Sequence, residues 1–177
     1  MTTANLRRFS TGLLLATLIG VAGCGFHLRG GGGGTMPDAF QRLRVVVQDS
    51  KLANDPLLVV VKSALQNDPK VVITDDKDSP ALILSGEGSE TQVLSVASTG
   101  RVSGYMVKYQ LSFRVVDAKG REMIPSQTVR LMRDYTFDPI NVLAKEQEER
   151  ELKRTMQRDA IQQMLRRLSR YAPPKEE

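Results

Sequence analysis

The chain has 177 residues with one cysteine and one histidine, Cys24 and His27, three residues apart. A thiol beside an imidazole is the smallest nucleophile–base couple, but it works only when a rigid scaffold holds the two within hydrogen-bond reach. Both lie in "LIGVAGCGFHLRGGGGG", residues 18–34, which ends in five consecutive glycines and offers no such scaffold. One Cys and one His also fall short of a Cys/His metal centre, and a lone thiol cannot form an intrachain disulfide. No Ser/His/Asp set can be assembled away from His27, and no pair of carboxylates stands out as a general acid–base couple. The residue types therefore point to a protein that is not an enzyme and uses no metal or cofactor.

The chemistry available to Cys24 is acylation. Arg7 and Arg8 form a positive n-region, and "GLLLATLIGVA" (residues 12–22) forms an apolar core of secretory length. That run is shorter than the roughly 20 apolar residues a comfortable transmembrane helix needs. The small residues before the cysteine, Val21-Ala22-Gly23, resemble the bacterial lipobox. The resemblance implies diacylation of the thiol, cleavage before Cys24 and acylation of the new amino group. One acyl chain holds a protein to a bilayer only marginally, whereas two or more hold it stably at about 0.8 kcal/mol per buried methylene. Position 25 is Gly and not the Asp that retains lipoproteins in the inner membrane of enteric bacteria, so the expected location is the periplasmic side of the outer membrane.

Gly30–Gly34 then reads as a flexible linker. A phosphate-cradling loop needs Lys-Ser/Thr after the glycines, between a strand and a helix; here "TMPD" follows, and the loop reading fails. Hydrophobic residues make up 41% and charged residues 25%, which suits one folded domain. With aromatics at 5% and no Trp, its core must rest on Val, Leu, Ile and Met. The formal charge of +5 becomes +3 once Arg7 and Arg8 are removed, leaving 23 basic against 20 acidic side chains. So mild an excess fits nucleic acid, a membrane surface or an acidic glycolipid, and does not choose among them. The expected organisation is a signal peptide over 1–23, a lipidated N-terminus and tether over 24–41, one domain over 42–171 and a disordered tail over 172–177.

Within the domain, "RLRVVVQDS" (residues 42–50) is a β-branched first strand. Asp55-Pro56 is a helix cap with Pro at the first helical position. Residues 57–68 carry apolar side chains at 57, 58, 61, 64 and 65, a helical spacing, although their valines keep strand as the competing reading. "KVVIT" (70–74) is a short strand. Three long β segments follow, over 81–98, 101–117 and 121–137, joined by "TG" and "AKG" in an antiparallel meander. Tyr105, Val107, Tyr109, Leu111, Phe113 and Val115 alternate with polar or small residues, as in a half-buried strand. Tyr105, Tyr109 and Phe113 share one face as core, with a ligand-stacking platform as the alternative.

Residues 138–171 form a long helix opened by Asp138-Pro139. Leu152, Met156, Ile161, Met164, Leu165 and Leu168 make its apolar stripe. Its "KEQEERELKR" run reads as a solvated face laced with i,i+4 pairs such as Glu149–Lys153. Acids interrupt every basic cluster, so it is a poor nucleic-acid site. The fold class is α+β: a small, mostly antiparallel sheet with two helices packed on one face.

"CGFHLRG" at the mature N-terminus, the Tyr105-centred strand and "DPINVLAKEQEERELKRTMQRDAIQQMLRRL" closely resemble the LptE family of outer-membrane lipopolysaccharide-assembly lipoproteins. The resemblance spans nearly the whole mature chain. It implies two helices on a small sheet, a seat inside the LptD β-barrel, a part in folding that barrel, and lipopolysaccharide binding. Carried over by position, the family's basic binding residues fall on Arg130 in the last strand and on Lys145 and Arg158 in the long helix. A further family arginine, in the loop between the first two meander strands, falls on Ser98; Arg101, across the same turn, is the candidate replacement. Phosphates of lipid A suit Lys and Arg, which bind them through charge-assisted hydrogen bonds. Solvated surface charge is the competing reading for each of these residues. The alternative function is a free-standing envelope lipoprotein that scaffolds other complexes, or binds another glycan, without a barrel.

Overall fold

The computed structural model describes residues 35–48, 50, 55–136 and 142–173. The signal peptide, Cys24, His27, the glycine tether, the Asp138-Pro139 cap and the last four residues lie outside the described residues.

β1 (Arg42–Val47) leads to α1 (Pro56–Leu65), then to a two-residue β2 (Val72–Ile73). β3 (Ala81–Val96), β4 (Val102–Val116) and β5 (Glu122–Thr136) make the meander, and α2 (Val142–Leu168) follows. The helical spacing at 57–65 prevails over its valines. Pro56 sits at the helix start, the Asp55 carboxylate accepts the Leu57 N–H at 2.8 Å, and Leu57, Val61 and Leu65 are buried. The strand order is β2-β1-β3-β4-β5. β1 runs parallel to both of its neighbours, and the rest of the sheet is antiparallel. The mostly antiparallel α+β fold expected from the sequence is the one observed, each strand a residue or more shorter than its sequence pattern.

One face of the sheet carries the core. Val107, Tyr109, Leu111, Phe113 and Val115 of β4 are all buried, in one core cluster with Leu82 and Leu84 of β3 and with residues of both helices. Met156, Ala160, Ile161, Met164 and Leu168 supply the stripe of α2, with Leu152 and Leu165 at its margins. Full burial of such a side chain contributes about 2 kcal/mol relative to exposure, so this stripe and not intrinsic propensity seats the helix. Tyr105 is only partly buried and stacks on Tyr135, ring centroids 5.6 Å apart. Met36 and Phe40, within the segment the sequence reads as tether, are buried in the same core, where Phe40 meets Tyr171 at 4.8 Å.

Both meander turns end on a glycine with φ of +78°, Gly100 and Gly120, the left-handed conformation that glycine adopts without strain. Bulges interrupt the ladders. One lies between Ser85 and Gly88 of β3. Another, in β5 around Pro125, suits a residue without an N–H on an edge strand.

Candidate functional site

Polar contacts fasten the long helix to the sheet. The Tyr109 hydroxyl donates to Glu87 Oε1 at 2.8 Å, and the Gln157 amide donates to the same oxygen at 3.2 Å. Nearer the start of α2, Tyr135 donates to Glu149 Oε2 at 2.9 Å, and Thr91 donates to Oε1 at 2.8 Å. Lys153 Nζ lies 2.6 Å from Glu149 Oε1, the i,i+4 pair expected from the sequence. Burial first, and then the adjacent carboxylate, pushes both tyrosine phenols up. The bonds from Lys153, Thr91 and Tyr135 hold the Glu149 carboxyl below its usual value against the opposing cost of burial. Arg133 on β5 reaches Asp159 of α2 at 3.6 Å. Among the described residues no cluster of three His, Cys, Asp or Glu side chains could hold a metal. No described helix is long and apolar enough to cross a membrane.

The basic residues singled out by the sequence do not converge. Arg130 projects from β5 between buried Val129 and partly buried Leu131, onto the sheet face away from the helices, as strand alternation requires. It stands across from Gln110 and has no ion-pair or hydrogen-bond partner among the described residues. Lys145 pairs with Glu148 at 2.6 Å. Arg158 bonds Glu151 Oε1 at 2.9 Å and Thr155 at 3.1 Å. These two lie 13 residues apart on α2, about 20 Å along its axis and about 140° around it. Arg158 also borders a groove of about 380 Å³ between the helices, lined by Val59, Val60, Ala64 and Ile161. Arg101 is exposed beside Ser98 at the β3–β4 turn, where its carbonyl accepts the Ala97 N–H at 2.8 Å.

What sequence reading missed is the company Arg130 keeps. An open cleft of about 390 Å³ lies on the uncovered face, lined by Gly88, Glu90, Lys108, Gln110, Arg130 and Met132. The alternation of β4 marks Lys108 and Gln110 as outward positions. Nothing in the sequence fixes which residues of β3 and β5 stand beside them.

A five-stranded sheet with two helices on one face, a polar seam between them and an open face behind is the architecture of a small α+β domain. Solved lipoproteins share it. The solution structure of uncharacterized lipoprotein B from Nitrosomonas europaea superposes with a TM-score of 0.67 at 27% identity, covering 82% of this chain and 90% of that one. The crystal structure of rare lipoprotein B from Shewanella oneidensis gives 0.61 at 27% identity, covering 72% and 93%. The family model described as "LptE: Lipopolysaccharide-assembly" matches residues 39–168. The LPS-assembly lipoprotein LptE of Pectobacterium atrosepticum is 32% identical over 166 residues, 92% of this chain and 85% of that protein. Its counterpart in Yersinia enterocolitica is 31% identical over 157 residues, 87% and 72%. The chain belongs to the LptE family.

Proposed function

We propose that the chain is the lipid-anchored subunit of a lipopolysaccharide translocon in the outer membrane. It sits as plug and folding partner in an LptD-like β-barrel and binds lipopolysaccharide on its way to the outer leaflet. The observation that carries this reading is the family match over 39–168, joined to relatives named as LPS-assembly lipoproteins across nearly the whole chain. In this reading residues 1–23 are removed and Cys24 carries the acyl chains. Gly30–Gly34 then lets the domain sit beside the bilayer while the anchor stays in it.

Lipopolysaccharide binding is assigned to Arg130, Lys145, Arg158 and Arg101. Arg130 and Arg101 have no side-chain partner among the described residues, and so meet an anion without breaking an ion pair. Lys145 and Arg158 must first give up Glu148 and Glu151. The nucleic-acid reading has no support, because on α2 carboxylates are paired with each of Lys145, Arg150, Lys153, Arg154 and Arg158.

The test is purification of the full-length, C-terminally tagged protein from its native envelope in mild detergent. One large β-barrel in equal amount, with lipopolysaccharide bound, is the expected result. The protein emerging alone, without barrel or glycolipid, would leave the family fold but remove the proposed role.

A further inference from the structure

The two rows that cross the open face are Gly88–Gln110–Arg130 and Glu90–Lys108–Met132, each in direct register over three strands. Lys108 and Arg130 are therefore diagonal neighbours on adjacent strands, within mutual reach for side chains of their length. Neither has an ion-pair or hydrogen-bond partner among the described residues. Glu90 stands opposite Lys108 in register, yet its carboxylate accepts the Gln92 side-chain amide at 2.8 Å. Two cations side by side, neither of them in an ion pair, repel each other, while the Glu90 carboxylate keeps its charge on the same face. An anion between them converts that repulsion into two charge-assisted contacts.

The shape says more than the charge. Gly88 leaves a notch at the end of one row, since a Cβ built there would meet nothing within 4 Å. Met132, 59% exposed, forms an apolar wall at the end of the other. The Gln110 amide and Glu90 carboxylate add donors and acceptors suited to hydroxyl or amide groups. The cleft, at about 390 Å³, is large enough for one ring with its substituent. A bare acyl chain would use none of these polar groups, and inorganic phosphate would leave the notch and the methionine unfilled.

We propose that Lys108, Gln110 and Arg130 form one phosphosugar-binding cleft on the sheet face away from the helices, with the Gly88 notch admitting the sugar ring. It deepens the lipopolysaccharide reading, and rests on it only for naming the phosphosugar as the lipid A head group. Lys145 and Arg158, on the helix side, are not part of this cleft.

The experiment titrates the full-length acylated protein, in detergent micelles, with a deacylated, diphosphorylated glucosamine disaccharide. NMR follows the Gln110 side-chain amide and the Arg130 Nε–H. Both signals are expected to move, and the unphosphorylated disaccharide is expected to bind at least tenfold more weakly. Lys108→Ala and Arg130→Ala should each weaken binding about five- to tenfold. Gly88→Leu, which keeps both charges and enters open space, should weaken it at least as much with an unchanged melting temperature. The double variant Arg150→Ala/Arg154→Ala, which removes two positive charges from α2 outside every assigned site, should bind as the parent does. Absence of any shift in the parent protein, or parent-like binding by Lys108→Ala and Gly88→Leu, would overturn the cleft. Lipopolysaccharide co-purifying with the barrel complex undiminished in those variants would also overturn it, while leaving the proposed function standing. Disaccharide binding by a protein that purifies without lipopolysaccharide would sustain the cleft and defeat the function.

Discussion

The hydroxyl of Tyr135 on the edge strand donates to Glu149 on the long helix at 2.9 Å, and that carboxylate also holds Thr91 of β3 and Lys153 of its own helix. One acidic side chain thus ties together two strands that are not neighbours in the sheet and the helix that covers them. A second knot, Tyr109–Glu87–Gln157, repeats the arrangement two turns further along the helix. The first holds the opening half of α2 on the sheet, where apolar contacts are sparser than around Met156–Leu168, and the second sits at the start of that apolar stretch.

Removing one phenol should loosen that seam without emptying the core. Tyr135→Phe is expected to cost about 1 kcal/mol, the usual net worth of one hydrogen bond. For a domain of this size that lowers the melting temperature by about 3–6 °C in a calorimetric or circular-dichroism scan. Tyr109→Phe should cost more, because it leaves the Glu87 oxygen with Gln157 alone beside a buried ring.

The Glu149 knot also makes stability depend on acidity. Its folded-state pKa is held below the ordinary 4.5 by Lys153, Thr91 and Tyr135, so the charged form is the one the fold prefers. The contribution is complete at neutral pH, where the carboxyl is ionised in both folded and unfolded chains. It fades as pH falls below 4.5 and is gone below the lowered folded value. Denaturant midpoints between pH 7 and pH 3 should show a smaller acid loss in Glu149→Gln than in the parent. Equal losses would place the acid sensitivity elsewhere.

Core deletion is the severe case. Phe113 is fully buried in the core cluster, and Phe113→Ala should cost about 3–5 kcal/mol through lost transfer and a residual cavity. Val59→Ala, on the exposed side of α1, should change stability by less than about 0.5 kcal/mol. Urea unfolding of the two variants separates these outcomes directly.

Neutralising Arg130, Lys145 and Arg158 together should weaken lipopolysaccharide binding while the fold persists. The two helix residues sit in partly exposed ion pairs, each worth roughly 0–1 kcal/mol, and Arg130 has no partner to lose among the described residues. Unaltered lipopolysaccharide retention by the folded triple variant would remove all three from the binding surface.

The turn glycines give a local check. At φ of +78°, Gly120→Ala should destabilise the β4–β5 hairpin by about 1 kcal/mol, visible as a lower denaturant midpoint with unchanged slope. Gly88→Ala, in extended backbone with open space at its Cβ, should not.

Much of this fold was legible because it depends on short-range periodicity. The 3.6-residue stripe of Met156, Ile161, Met164 and Leu168 required an amphipathic helix, and strict alternation from Val107 to Val115 required a one-faced strand. The same alternation placed Arg130, Lys108 and Gln110 on the outward face. Partners across strands were not legible. From the turn at Asp117–Arg121, where Val116 faces Glu122, an unbroken ladder would set Lys108 directly opposite Arg130. Two one-residue shifts, one between Glu122 and Ile124 and one around Pro125, slip β5 by two residues in all, so that Gln110 faces Arg130 and Met132 faces Lys108. Beyond both shifts the faces are those of an unbroken ladder, so the pattern from Gln127 onward does not reveal the slip, and only Ile124 and Val129, both buried and five residues apart, mark where it occurs.

The sequence by itself determined the α+β class, the two helices and their apolar stripes, the meander, the family and, through the lipobox-like Val21-Ala22-Gly23-Cys24, the expected lipid anchor. Only the tertiary structure decided that Tyr109 and Tyr135 are spent on glutamates of the seam and that Arg130 shares a cleft with Lys108 and Gln110. Periodicity is written in neighbouring residues, whereas register and carboxylate choice are settled by backbone bulges and by contacts between distant segments, as between Glu87 and Gln157, 70 residues apart.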